Sequence, residues 1–129
     1  MENDLVRLLE IAEKLISSCY CPYSEFHVAA VIEDTNGKLH FGVNVENSSY
    51  GLAICAERSA LFKAVSEGIR DFRRILVYSP DDLPIPCGAC RQVLAEFCRE
   101  DFQIVVVGPE ETRTFTLVQL LPHRFKLCP

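Results

Sequence analysis

The sequence predicts an α/β fold, a mixed sheet of about five strands in which a β-hairpin is followed by β-α-β-α-β. Three observations predict it. Asn36-Gly37 separates two segments of β-forming residues, a strong hairpin signal. Beyond the hairpin, helical and strand patterns alternate, which implies parallel pairing among the later strands. With 129 residues, 49% of them hydrophobic, the chain can bury a core as one domain spanning 1–129.

The elements follow in order. Leu5, Leu8, Leu9, Ala12, Leu15 and Ile16 recur at helical spacing, with Asn3 or Asp4 as the cap and Cys21-Pro22 as the stop. Residues 26–33 are rich in β-formers, and residues 38–45 form the return strand. A polar loop over 46–51 follows. Cys55 to Glu67 reads as a second helix, ended by Gly68. Arg74 to Tyr78 is a short strand. Asp81 to Pro86 contains two prolines and must be loop. Gly88 to Arg99 is a third helix and Phe102 to Gly108 a buried strand. Thr112 to Thr116 adds a short strand, and Leu117 to Leu121 a last helical turn before Pro122. No repeat or linker interrupts the chain. Right-handed crossovers put the second and third helices on one face of the sheet, with their N-termini side by side at the carboxyl ends of the strands. Ligands of open α/β sheets bind at that edge.

Composition narrows the function. The net charge of −5 argues against nucleic acid as a partner. Arg70, Arg73 and Arg74 cluster, but a short basic run reads as solvated surface. No apolar run approaches the ~20 residues of a membrane span, so no membrane is expected. Met1-Glu2-Asn3-Asp4 lacks the basic start of a signal peptide, and a cytoplasmic location is expected. Seven cysteines without a secreted context suggest reduced thiols, some of them holding a metal.

The chemistry concentrates at the two helix starts. Cys87 and Cys90 are three residues apart on a first turn, so both thiols can face one point. The positive end of a helix favours the thiolate. Cys55 begins the other helix and can point to the same place. Three protein ligands leave a tetrahedral zinc one open position, the arrangement of a catalytic site. Glu57, two residues past Cys55, can fold back over the helix end and exchange protons there. Three thiolates overcompensate the charge of zinc, and Arg58 and Arg91 are candidates to offset the excess. Cys19, Cys21, Cys98 and Cys128 leave a structural Cys₄ zinc as a rival, although each reads more simply as a free thiol. His27, His40 and His123 lie outside the motif and read as structural or surface groups.

Zinc deaminases of nucleobases use a Cys₃ or His-Cys₂ zinc, a Glu that is not a ligand, and a P-C-x-x-C tail. Cys55-Ala56-Glu57-Arg58 and Pro86-Cys87-Gly88-Ala89-Cys90 carry that constellation. With Cys21-Pro22-Tyr23-Ser24-Glu25-Phe26, Asn44-Val45-Glu46-Asn47, Tyr50-Gly51-Leu52-Ala53-Ile54 and Leu120-Leu121-Pro122, almost the whole chain resembles the small homotetrameric zinc-dependent cytidine deaminases. One departure is Val28-Ala29-Ala30, where the family usually has Val-Gly-Ala.

The resemblance implies a three-layer α-β-α arrangement. It implies Cys55, Cys87 and Cys90 as ligands of one zinc per chain, and Glu57 as the proton shuttle. Asn44 and Glu46 would bind the nucleoside sugar, Phe26 would pack on the base, and the backbone of Ala56 would touch the pyrimidine. Asn47, Ser48 and Tyr50 would line a site, in part that of a neighbouring subunit, and Phe125 would reach a pocket from another chain. The reaction implied is hydrolytic deamination of cytidine and deoxycytidine to uridine and deoxyuridine with release of ammonia, in pyrimidine salvage. Two alternatives stay open at this point. One is a related zinc deaminase acting on another aminated heterocycle or on nucleic acid, and the other is a structural zinc module.

Overall fold

The computed structural model describes residues 1–127. Helix α1 (Asn3–Leu15) buries Leu8 and Ala12, as its apolar spacing requires. Its start differs from expectation. The N-cap is Glu2, and no side chain caps the helix. Arg74 explains this, because its guanidinium holds Glu2 at 2.9 Å and lies 3.9 Å from Asp4, so an ion pair to the sheet places the first turn. The helix stops at Leu15, and a short 3₁₀ turn (Ile16–Ser18) follows before Cys21-Pro22 is reached.

Strands β1 (Ala29–Asp34) and β2 (Leu39–Val43) form the hairpin. Asp34 Oδ1 accepts the backbone N–H groups of Asn36 and Lys38 at 2.8 and 3.0 Å, and Gly37 takes φ 85°, which glycine adopts without strain. Helix α2 (Ala56–Ser66) leads to β3 (Phe72–Tyr78), and α3 (Gly88–Phe97) to β4 (Gln103–Val107). Strand β5 (Thr112–Thr116) and a single turn, α4 (Leu117–Leu120), follow.

The sheet order is β2-β1-β3-β4-β5. Parallel pairing is confined to β3 and β4, and the other three pairs are antiparallel. The hairpin explains why. All six residues of β1 are buried, whereas β2 is largely part-exposed. The strand that is apolar on both faces takes the interior, and β2 moves to the edge with β1 between it and β3.

Alternation along the central strands divides the core into two layers. Ala30, Ile32, Ile75, Val77, Ile104 and Val106 meet α2, α3 and α4. Ala29, Val31, Leu76, Val105 and Val107 meet α1 on the opposite face. The arrangement is the three-layer α-β-α expected. Among the described residues no helix is long and apolar enough to cross a membrane.

The basic cluster does not form the solvated run expected of it. Arg73 is exposed, but Arg74 is buried and donates from Nε to Glu33 at 2.7 Å. Strand alternation puts these neighbours on opposite faces, so one of them must find carboxylates. His40 is also buried, with Nε2 2.9 Å from Asp34 and Nδ1 3.7 Å from Glu67. It ties the hairpin to the C-terminal end of α2.

Gly42 sets how closely α2 approaches the sheet. A Cβ there would lie 2.6 Å from the Ala60 backbone nitrogen and 2.8 Å from Ser59 Cβ. Backbone cannot yield as a flexible side chain can, so Gly42→Ala is expected to lift α2 and destabilise the protein by ~1–3 kcal/mol. Denaturant unfolding measures this, and an unchanged midpoint would show that the contact is slack.

Candidate active site

Helices α2 and α3 lie on the same face and begin beside each other. Cys55 is the N-cap of α2 and Cys87 the N-cap of α3, while Cys90 sits in the first turn of α3. The three sulfurs lie within 4.8 Å of one another. Cys55 Sγ is 3.8 Å from Cys87 Sγ, which is 3.6 Å from Cys90 Sγ. Sulfurs bound at ~2.3 Å to a tetrahedral zinc stand roughly 3.8 Å apart, so the donors fit that ion in both type and spacing.

The electrostatics suit ligation. A hydrogen bond from Cys90, helped by Arg58 Nη2 at 3.5 Å, brings the Cys55 thiol down to about 5. The same bond to Cys55, with burial, holds Cys90 in its protonated form. Metal binding at these sulfurs displaces the thiol protons that remain.

Glu57 stands in the first turn of α2, on the wall of the cleft beside Cys55, and is 5% exposed. Burial raises its carboxyl to about 7, and the Cys55 thiolate pushes it the same way, while the positive charge of a metal opposes that rise. Among the described residues, Glu57 is not part of the cluster of metal donors.

The cleft has a volume of about 350 Å³, enough for a small molecule. Cys55, Cys87, Ala56, Glu57 and Arg58 line it together with Phe26, Asn44, Glu46 and Tyr50. Asn47 lines an adjoining hollow with Tyr23 and Tyr50, and Ser48 is 2.6 Å from the Tyr23 hydroxyl.

Two of the expected site residues do not line this cleft. Arg91 makes no hydrogen bond to the thiols; it donates to the carbonyls of Pro86 and Leu120, each at 2.8 Å, bracing the loop before α3 against α4. Phe125 does not line the cleft of its own chain. Its backbone is fixed by Gln92 over α3, and its ring is 69% exposed.

Asn44 is more committed to its own chain than expected. Its Oδ1 accepts the Val28 N–H at 3.1 Å, and its Nδ2 donates to the Phe26 carbonyl at 2.7 Å. These side-chain bonds replace the ladder and end β2 at Val43, two residues short of the expected end. Sequence reasoning missed Ser24, Pro84 and Ile85, which also line the cleft. A signal existed for the last two, since the Pro84–Pro86 segment enters the Cys87 helix start and must pass the site.

The rival Cys₄ site finds no support among the described residues. Cys19, Cys21 and Cys98 are free and stand outside the cluster. Cys19 Sγ donates to the Val28 carbonyl at 3.4 Å, and burial pushes the Cys98 thiol up to about 12. Cys128 lies outside the described residues.

Cys90→Ser should therefore lose most of its zinc and melt at a lower temperature, because binding at this site is coupled to folding. Elemental analysis reads the metal content; an undiminished value would remove Cys90 from the ligand set.

Residues 2–106 match the family model described as the cytidine and deoxycytidylate deaminase zinc-binding region, which takes in all three cysteines and Glu57. The chain is 40% identical to a cytidine deaminase of Sporosarcina psychrophila, over 95% of this chain and 91% of that protein. It is 45% identical to a probable cytidine deaminase of Dictyostelium discoideum, over 96% of this chain and 85% of that protein. The crystal structure of cytidine deaminase from Burkholderia pseudomallei superposes with a TM-score of 0.88 at 39% identity, covering 97% of this chain and all of that one. A likeness that runs nearly end to end and includes the thiol cluster has one reading: the chain belongs to the zinc-dependent cytidine deaminase family.

Proposed function

We propose that this chain is a hydrolase that converts cytidine and deoxycytidine to uridine and deoxyuridine with release of ammonia, in pyrimidine salvage. The observation that carries the reading is Glu57, a buried carboxyl on the wall of a small-molecule cleft, beside three thiols spaced for zinc.

Cys55, Cys87 and Cys90 hold the metal, and Arg58 offsets their negative charge. When bound, zinc supplies the Lewis acidity that makes water a nucleophile near neutral pH. Glu57 takes a proton from the water that attacks C4 and places it on ring N3. It then moves the water's other proton, now on the C4 hydroxyl, to the exocyclic amine, and the C4–N bond breaks to leave a C4 carbonyl and ammonia. A carboxyl raised by burial can give back the proton it takes. Phe26 packs on the base, the Ala56 backbone meets its edge, and Asn44 and Glu46 read the sugar. The cleft is small and the chain carries a net charge of −5, which favours a free nucleoside over nucleic acid. Three thiols that must stay reduced suit the cytoplasm.

The working unit we propose is a homotetramer with shared sites. The exposure of Tyr50 at 78%, Leu52 at 72% and Phe125 at 69% supports it, since large apolar side chains on a surface favour burial against another chain. Asn47 and Ser48, beside Tyr50, then lie where a neighbour's site is completed.

Glu57→Gln should retain zinc and nucleoside binding while turnover of cytidine falls by at least ~10². Ammonia release with parallel metal analysis tests this, and near-normal kcat would exclude the proton-transfer role. Light scattering should give four chain masses at assay concentration, and a fully active monomer would contradict shared sites.

A further inference from the structure

The carboxylate of Glu46 is held before any ligand arrives. Its Oε1 accepts the backbone N–H groups of Tyr23 at 3.0 Å and Ser24 at 3.2 Å, and its Oε2 accepts the Ser24 hydroxyl. A carboxylate offers about four acceptor positions. Both positions on Oε1 are taken and one on Oε2, so a single acceptor is left, on the oxygen that Ser24 orients. The hydroxyl of Ser24 also accepts the Phe26 N–H at 3.0 Å. One side chain thus joins the carboxylate that would read the sugar to the backbone of the ring that would pack on the base. Between them lies Glu25, at φ 58° the non-glycine residue with positive φ among those described. The fold holds this turn in an unfavourable backbone conformation, which keeps Ser24 and Phe26 on the cleft.

We propose that Ser24 is a positioning residue for sugar recognition, fixing Glu46 Oε2 so that its one free acceptor position meets a substrate hydroxyl. The role rests on the reading of Glu46 as a sugar-binding residue. The Ser24 hydrogen bond also lowers the Glu46 carboxyl below its usual range, keeping it an acceptor. Without the hydroxyl, the carboxylate keeps its two backbone bonds but can pivot about Oε1, and the free position is no longer aimed.

The test compares cytidine with 3′-deoxycytidine on wild type, Ser24→Ala, Ser24→Thr and Ser24→Val, each checked for zinc content and melting temperature. Hydrogen bonds to charged groups are strong, so Ser24→Ala should lose about ten-fold in kcat/KM for cytidine, mostly in KM, and under about two-fold for 3′-deoxycytidine. The discrimination ratio therefore falls, whereas a general loss of structure would lower both values together. Thr should restore the ratio and Val should not. These two share a shape and differ in the hydroxyl, so the comparison stands even if Ala disturbs the turn. A wild type that discriminates, with variants that keep its ratio or with Thr and Val alike, would overturn the role of Ser24 alone. A wild type that turns over both substrates equally would overturn the sugar reading of Glu46 and the role of Ser24 with it.

Discussion

Three sulfurs that repel one another as thiolates are carried to one point by two separate helices, and the rest of the site follows from that meeting. Cys55 and Cys87 occupy equivalent places, each the N-cap of its helix, so each thiol sits at a positive helix end. The helices can meet there because the crossover from β2 to β3 and the one from β3 to β4 run on the same face of the sheet. Arg58, one turn along α2 from Cys55, brings a compensating charge that needs no partner from elsewhere in the fold. Glu57 depends on the same placement. Being two residues past the cap puts it under the rim of the cleft, where burial raises it to about 7.

The part of the cleft wall formed by Phe26, Asn44 and Glu46 is held by a different device. Residues 23–28 run alongside residues 44–46 without forming a continuous strand pair. The side chains of Asn44 and Glu46 supply hydrogen bonds that a ladder would otherwise make. Polar side chains on a cleft wall are thereby fixed in place by the chain's own backbone, which is the preorganisation that selective binding requires. Arg91 works similarly, tying the Pro86 carbonyl, beside Cys87 in the loop before α3, to the Leu120 carbonyl of α4.

Much of this could be read from the residues. The meeting of Cys55, Cys87 and Cys90 was legible because a metal site needs particular atoms at particular helical positions. Asn36-Gly37 marked the hairpin, and the alternating pattern after it marked the order of elements. The sheet order was less legible. That β1 lies inside and β2 at the edge depends on burial of both faces of β1, and a short apolar run shows this only weakly. Arg74 was misread because its partners, Glu2 and Glu33, are distant in sequence and on other elements. Helix capping failed for the same reason, since the ion pair of Glu2 outweighs the local preference of Asn3 or Asp4. Ser24 and Arg91 act through carbonyls, amides and a carboxylate that only the folded chain brings near them.

Metal and chemistry are joined most directly by titrating zinc into protein stripped by a chelator and following ammonia release from cytidine. The thiol cluster and the proposed role of Glu57 predict no activity without metal and full activity at one zinc per chain. Ammonia release that persists in metal-free protein, or that stays absent once one zinc per chain is bound, would contradict the account.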